Sequence, residues 1–367
     1  MSLQKFGFFR MKKLLMQRCI ELASNGLGKT YPNPIVGAVI VLDNKIIGEG
    51  YHHQYGGSHA EVEAINSVED KSLLCKSEIY VSLEPCSHFG KTPPCSDLII
   101  HHKLKKVYVG CLDPNPMVAG KGIEKISKAG IEIEIGILEE ECKRINRRFF
   151  TNIIFQRPYI ILKWAQTLDL FIDFDRTQRK VDGINWISNE QCRILVHKWR
   201  SEEQAIMVGT NTAMQDNPKL NIRDWHGNQP LRVILDRNLR LSSHLNIFDR
   251  TQETIIYTEK DKKTENNLIY KNIEYSENLL ANIMKDLHNR KICSVIIEGG
   301  AKLLNSFLNQ NLWDEARVFT GSMRFVRGIK APKLVRKAEI ICSIDDTLLE
   351  TFYNNSHGNL EVDIEHF

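Results

Sequence analysis

The chain has 367 residues, 42% hydrophobic and 26% charged, with a net charge of +4. That composition is ordinary for a globular protein, and so small a charge makes no case for a nucleic-acid or membrane surface, though it would not repel a phosphorylated ligand. No apolar run approaches the roughly 20 residues of a membrane span, and nine cysteines scattered along a long chain read as reduced core thiols rather than a disulfide scaffold.

At roughly 100–200 residues per domain, the length favours two domains. The first ten residues read as an extension. Lys12, Lys13, Leu14 and Leu15 have a faint look of a secretory leader, but Gln17-Arg18-Cys19 cuts the apolar run short and no small-residue cleavage site follows. A cytoplasmic location is expected. Leu14, Leu15, Ile20 and Leu22 predict an amphipathic helix from Met11 to Ala23, stopped near Asn25-Gly26. Tyr31-Pro32-Asn33-Pro34 is a rigid loop. Two β-rich runs, Gly37–Leu42 and Lys45–Tyr51, flank Asp43-Asn44 and predict a hairpin. A helix is expected after His59 towards Val68, then a strand at Ile79–Leu83, a helix at Ser96–His102 and a strand at Val107–Gly110. A helix at Gly122–Ala129 and a short strand at Ile131–Ile137 follow. Helices alternating with strands mean an α/β sandwich.

The basic, aromatic run Arg147-Arg148-Phe149-Phe150 closes this pattern, and Pro158 opens a new strand at Tyr159–Leu162. The expected domains are therefore 11–150 and 151–367. In the second, Ser188 and Gln191 read as a capping box for a helix running to about Trp199. Ala205–Val208, Leu231–Leu235, Thr254–Tyr257 and Ser294–Ile297 read as strands. The polar stretch 259–277 reads as a surface excursion. Gly299-Gly300 leads into a helix over Ala301–Leu308.

The chemistry concentrates in the first domain. A hydrolytic zinc site needs three protein ligands and one open position for water, and the metal lowers the pKa of that water to about 7. Deamination of an aminopyrimidine also needs a carboxylate to carry protons from the water to the ring nitrogen and the leaving amine. His59-Ala60-Glu61 supplies an imidazole ligand and such a carboxylate, and Cys86 and Cys95 supply two thiolates. The pattern matches the zinc-deaminase signature H-x-E followed by P-C-x-x-C, except that eight residues separate the two cysteines. That loop reads as part of the substrate pocket. A purely structural zinc would want a fourth ligand, for which His88 is available, and would have no need of Glu61.

Three segments carry a resemblance: Pro32-Asn33-Pro34-Ile35-Val36-Gly37, His59-Ala60-Glu61-Val62-Glu63-Ala64, and Pro85 through Cys95 with its long intervening loop. With Asp113-Pro114-Asn115-Pro116 and Gly120-Lys121-Gly122, they resemble the bifunctional riboflavin-biosynthesis deaminase/reductase family. The resemblance covers the chain from about Met11. It implies a cytidine-deaminase-like three-layer α/β/α domain followed by a dihydrofolate-reductase-like α/β domain that uses NADPH. It implies Zn2+ held by His59, Cys86 and Cys95, with Glu61 moving protons and Asn33, His88 and Lys91 lining the pocket for a ribosylaminopyrimidine phosphate. The second domain would reduce the ribosyl group to a ribityl chain. Carried over by motif, Ala165, Trp186, Thr212, Asp216 and Gly300 would contact the cofactor, and Arg200, Leu220, Arg223 and Glu298 the substrate. A homodimer or larger homo-oligomer is also implied.

The sequence departs from that family at three places. Thr167-Leu168-Asp169-Leu170 stands where the family has Ser-Leu-Asp-Gly, and Ile184 replaces a substrate-contacting serine. Phe171–Gly183 is unusually charged. These departures motivate an alternative, a deaminase with a degenerate reductase domain. Two further alternatives are a nucleic-acid-editing deaminase, which would want a basic channel with stacking aromatics, and a zinc-stabilised binding protein.

Overall fold

The computed structural model describes residues 3–89, 93–116, 118–176 and 185–354. The chain divides into two compact units, one ending at Gln156 and the other beginning at Arg157.

The first unit runs α1 (Leu3–Ser24), β1 (Gly37–Leu42), β2 (Lys45–Tyr51), α2 (Ala60–Ser67), β3 (Glu78–Leu83), α3 (Cys95–His101), β4 (Lys106–Cys111), α4 (Lys121–Lys128), β5 (Glu132–Ile135), α5 (Glu139–Ile145) and α6 (Arg147–Phe155). Its five strands are ordered β2-β1-β3-β4-β5, with β3, β4 and β5 parallel. Successive side chains of a strand point to opposite faces, so β1 sends Ala38 and Ile40 to one core and Val39 and Val41 to the other. The first core takes Ala64 and Ile65 of α2, Ile99 of α3 and Ile126 of α4; the second takes Met16 and Cys19 of α1 with Phe150 of α6. The result is three layers, α/β/α. Asp43 and Asn44 both have positive φ, 49° and 63°, as a tight two-residue hairpin turn requires.

Two expectations change here. The first helix begins at Leu3 rather than Met11, since no proline interrupts the approach and propagating an existing helix is cheap. Its buried stripe is Leu15, Met16, Cys19, Ile20, Leu22 and Ala23, whereas Leu14 is exposed. The Arg147–Phe150 run, expected to close the first domain, is the start of a helix, and the first unit continues through it to Gln156.

The second unit adds β6 (Tyr159–Gln166), β7 (Phe171–Asp173), α7 (Glu190–Glu202), β8 (Ala205–Gly209), α8 (Thr210–Asp216), β9 (Leu231–Leu235), β10 (Thr254–Thr258), β11 (Leu268–Asn272), α9 (Leu279–Asn289), β12 (Ser294–Ile297), α10 (Ala301–Asn309), β13 (Glu315–Thr320), β14 (Ile329–Lys330), β15 (Ile340–Ile344) and β16 (Thr347–Tyr353). One nine-stranded sheet has the order β11-β10-β9-β8-β12-β6-β13-β16-β15. From β11 to β13 every pairing is parallel; β16 and β15 are antiparallel. Neighbouring strands β8 and β12 feed helices to opposite faces. Ala213 of α8 packs in the core with Cys192 and Val196 of α7, while Leu304 and Phe307 of α10 pack in the other core with Ile283 and Leu287 of α9. Helices that diverge this way leave a crevice at the carboxyl ends of the two strands, where open α/β sheets bind ligands.

The cap of α7 is Asn189, not Ser188: its Oδ1 accepts from the Cys192 amide at 3.0 Å while its Nδ2 reaches the Ile344 carbonyl at 2.7 Å. The stretch expected to be a surface excursion contains β11, which pairs with β10 through the buried Leu268. Among the described residues no helix is long and apolar enough to cross a membrane, and all nine cysteines are free thiols.

Leu170, which stands where the resemblance has glycine, sits in a tight turn. It adopts φ 64°, its amide bonds the Thr167 carbonyl at 2.9 Å, and the Thr167 amide bonds Phe171 O at 2.9 Å. An L-residue pays about 1–2 kcal/mol in that region, partly offset by the greater freedom glycine has in the unfolded chain. Leu170→Gly is therefore expected to stabilise the second unit by about 0.5–1 kcal/mol, read as a higher denaturation midpoint of that unit.

Candidate functional site

Three elements of the first unit deliver the metal-binding set. His59 is the N-cap residue of α2 with extended backbone, and its side chain makes no capping bond, so the ring is free for another partner. Cys86 follows β3, and Cys95 opens α3. Nδ1 of His59 lies 3.5 Å from Cys86 Sγ and 3.4 Å from Cys95 Sγ. A tetrahedral zinc with the usual bond lengths sets a nitrogen–sulfur edge of about 3.6 Å. The three ligand atoms thus already stand at the spacing of a zinc site, all within 4.8 Å of one another. The Cys95 amide donates to Cys86 Sγ at 3.3 Å. Hydrogen bonding from Cys95, with His59 nearby, favours the Cys86 thiolate, whereas Cys95, buried beside that thiolate, is held in its protonated form until a cation arrives.

Glu61 sits in the first turn of α2, 4% exposed. Burial, aided by the Cys86 charge, pushes its carboxyl up to about 7. It is not among the ligand set, so it is available to carry a proton. His52 packs edge-on to His59 with ring centroids 5.5 Å apart. Its Nδ1 meets the Ser58 carbonyl at 2.8 Å, and its Nε2 faces Asn33 Nδ2 at 3.3 Å. Burial lowers the His52 pKa. The neutral ring therefore donates from Nδ1 and accepts at Nε2, which turns the Asn33 amide to present its oxygen elsewhere. Asn33 thus joins the zinc-side cluster through His52. His88 is exposed, and Lys91 lies outside the described residues. Glu84, buried just before Pro85-Cys86, accepts from the amides of Asp113 at 3.3 Å, Gly120 at 3.0 Å and Gly122 at 3.2 Å. It ties the Asp113–Gly122 motif to the cysteine loop. Neither His52 nor Glu84 was singled out from sequence; the adjacency of Glu84 to Pro85-Cys86 was the available signal.

In the second unit a cavity of about 740 Å³ opens at the β8–β12 crevice, and all nine residues expected to touch cofactor or substrate line it. Gly300, the N-cap of α10, donates its amide to Thr212 Oγ1 at 2.9 Å, and a Cβ there would stand 3.2 Å from that oxygen. A side chain at position 300 would crowd the bridge across the crevice. Trp186 is half-exposed at the rim, with the Arg193 guanidinium 4.7 Å from its ring centre. Ala165 lies on β6 beside Trp164, whose Nε1 donates to Gln166 at 3.0 Å.

Three of the nine already have partners within the protein. Arg200 was expected to face the substrate, yet it is bidentate to Glu298 at 2.8 and 2.9 Å and donates to the Asn221 carbonyl at 3.1 Å. Its charge is already neutralised. Glu298 would be raised by burial, but Arg200 and Lys163 outweigh that and hold it at about 2. Asp216 is engaged by Arg176 Nη2 at 2.8 Å, and Arg176 also grips Asp173 at 2.6 Å. Leu220 buries its side chain in the core with φ 51°, so only its main chain is available to a ligand. Arg176, in the charged segment, and His197 on α7 also line the cavity and were missed; each acts through a partner distant in sequence. Ile184 lies outside the described residues.

Comparisons agree with both halves. The profile of the cytidine and deoxycytidylate deaminase zinc-binding region matches residues 10–111, and that of the RibD C-terminal domain matches residues 158–341. The riboflavin biosynthesis protein RibD of Aquifex aeolicus is 40% identical over 312 residues, 84% of this chain and 86% of that protein. That of Bacillus amyloliquefaciens is 37% identical over 334 residues, 89% and 88%. The crystal structure of a diaminohydroxyphosphoribosylaminopyrimidine deaminase/5-amino-6-(5-phosphoribosylamino)uracil reductase from Thermotoga maritima superposes with a TM-score of 0.85 at 37% identity, covering 94% of this chain and 99% of that one. Acinetobacter baumannii RibD gives 0.84 at 32% identity, with the same coverage.

Two outcomes are expected. Cys86→Ala removes one corner of the ligand triangle, so elemental analysis should find the bound zinc lost while the second unit stays folded. Glu298→Gln leaves buried Arg200 without its carboxylate and should destabilise the second unit by about 3 kcal/mol, seen as a lower denaturation midpoint.

Proposed function

The chain belongs to the RibD family of riboflavin biosynthesis proteins, and from that premise we propose that it deaminates a diaminopyrimidinone ribosylamino 5'-phosphate and then reduces the ribosyl group to a ribityl chain with NADPH. It is an enzyme with a deaminase half and a reductase half. The observation that carries the reading is the His59–Cys86–Cys95 triangle with buried Glu61 beside it, in one chain with a crevice lined by every residue expected to serve reduction. Matches to both domain families leave no reason to prefer a deaminase alone.

In the first half His59, Cys86 and Cys95 would hold zinc, which when bound supplies the Lewis acidity that makes water nucleophilic at neutral pH. Glu61 takes one proton from the attacking water and passes it to the ring nitrogen, then carries the water's second proton to the departing amine. Its burial keeps its affinity for a proton high enough for both transfers. Asn33, oriented by His52, would hold the pyrimidine edge, with His88 and Lys91 on the cysteine loop facing the rest of the substrate.

In the second half NADPH, when bound, supplies the hydride. Ala165, Trp186, Thr212, Asp216 and Gly300 would place the cofactor across the β8–β12 crevice, the opening such folds use for dinucleotides. Glu298 stays anionic because Arg200 and Lys163 flank it, at 2.8 and 3.5 Å, so it would accept from substrate hydroxyls rather than donate. Arg223 and the Leu220 main chain would complete the substrate side. A cytoplasmic location and a homodimer or larger assembly accompany this reading.

The test is a coupled assay on zinc-loaded protein, following ammonia release and NADPH oxidation together. Glu61→Ala should cut ammonia release by about 10²–10⁴-fold. Reduction should persist in that variant when the deaminated intermediate is supplied directly. Ammonia without NADPH oxidation by the unaltered enzyme would restrict the function to deamination, and neither signal would remove the substrate assignment.

A further inference from the structure

Arg200 and Arg223 both line the reductase cavity, but only one has charge to spare. Arg200 is closed off by Glu298 and by the Asn221 carbonyl. Arg223 is 43% exposed and meets one carboxylate among the described residues, Asp224, with Nε 3.5 Å from Oδ2. The same Oδ2 lies 3.2 Å from Nε2 of His197. His197 is on α7, one turn before Arg200, and is 2% exposed. One oxygen of Asp224 is therefore shared between a buried imidazole on a helix and the guanidinium on the loop.

The imidazole is neutral. Burial, reinforced by the Arg200 and Arg223 charges, lowers its pKa to about 4. Of the two ring nitrogens, Nε2 is the one turned to Asp224, 3.2 Å from its Oδ2, and Nδ1 is buried without a hydrogen-bond partner. Oδ1 of Asn221, on the same loop, is likewise buried and unpaired. Unpaired buried polar atoms are costly, and an apolar residue would fill position 197 without that cost. The histidine is explained by what it grips.

We propose that His197 is a positioning residue of the reductase: by holding Asp224 it aims the Arg223 guanidinium at the phosphoryl group of the substrate. This rests on the functional reading above, since it needs a phosphorylated substrate in this cavity. Asp224 holds Arg223 loosely when the site is free, and a dianionic phosphoryl group outcompetes one carboxylate for a guanidinium able to bind it bidentately. Without His197, Asp224 and Arg223 would pair in many orientations, and the loop would lose its fixed approach to the cavity.

The experiment uses the full zinc-loaded chain with NADPH, the deaminated phosphorylated intermediate and the same compound lacking its phosphate. His197→Phe should raise KM for the phosphorylated intermediate about tenfold or more with kcat changed less than about twofold, the pattern of lost uniform binding. With the dephosphorylated compound its kcat/KM should match that of the unaltered enzyme. His197→Gln, which keeps a donor for Asp224, should recover most of the loss. Arg223→Ala should mimic His197→Phe, and combining the two should add little, as for coupled neighbours. Should His197→Phe fail to fold, Asp224→Ala, at a partly exposed position, should give the same phosphate-dependent rise in KM. Equal losses on both compounds, or additive effects of the two substitutions, would overturn the proposal. If the unaltered enzyme reduces neither compound, the functional reading itself fails and this proposal with it.

Discussion

Nδ1 of His59 stands 3.4 and 3.5 Å from two sulfurs that reach it from different segments, and the first unit is arranged around that triangle. None of the three residues is held by its neighbours in sequence alone. His59 is placed because α2 packs Ala64 and Ile65 on the sheet. Cys86 is placed because β3 runs in the sheet centre, and Glu84 then pins the following loop to three amides of the next motif. Cys95 is placed because α3 buries Ile99 in the same core. Parallel strands deliver their loops to one edge of the sheet, so residues far apart in sequence meet there. A dication at the triangle favours thiolates on both cysteines, which in its absence cannot both ionise easily.

The second unit uses the same geometric device for another purpose. Neighbouring strands β8 and β12 send their helices to opposite faces, and the crevice between them is crossed by one short bond, Gly300 amide to Thr212 Oγ1. Around it the polar groups are paired in advance. Arg200 with Glu298, Arg176 with Asp173 and Asp216, and His197 with Asp224 each tie a helix or strand to a loop. Such pairs contribute little net stability when buried, because desolvation opposes their attraction. What they do supply is a fixed direction for each charged group, which a site that must place a sugar carbon near a cofactor requires.

Much of this was legible in the chain. The β-rich runs Gly37–Leu42 and Lys45–Tyr51 with the turn pair Asp43-Asn44 pointed to the hairpin, and the H-x-E and cysteine motifs pointed to the three side chains that the fold gathers into a candidate metal site. The strands at Leu231–Leu235 and Ser294–Ile297 were read at their observed bounds. What escaped was non-local. β11 is a five-residue edge strand set in a polar stretch, and its pairing with β10 decides it, which local pattern cannot see. Ser188 and Asn189 are both good caps, and the choice between them depends on the Ile344 carbonyl, far along the chain. Arg200 looks like a phosphate ligand until Glu298 is seen beside it. Residue type hints at φ without fixing it, and Leu170 takes the positive φ of the glycine it stands in for. The hydrogen bonds of Thr167, Phe171 and Ala331 hold the turn against the strain.

Two glutamates show how the same fold produces opposite chemistry. Glu61 and Glu298 are both buried carboxylates, and burial alone raises the pKa of each. Around Glu61 the Cys86 charge adds to that rise by more than His59 opposes it, and the carboxyl goes up to about 7. Around Glu298 stand the Arg200 guanidinium at 2.8 Å and the Lys163 ammonium at 3.5 Å, and the carboxyl drops to about 2. Environments that push two acids apart assign them different roles. A carboxyl near 7 suits the proton-shuttling role proposed for Glu61, and one near 2 suits the role of fixed negative charge and acceptor proposed for Glu298. Burial acts on both carboxyls in the same direction, so it is the charge of the neighbouring side chains that sets the two apart.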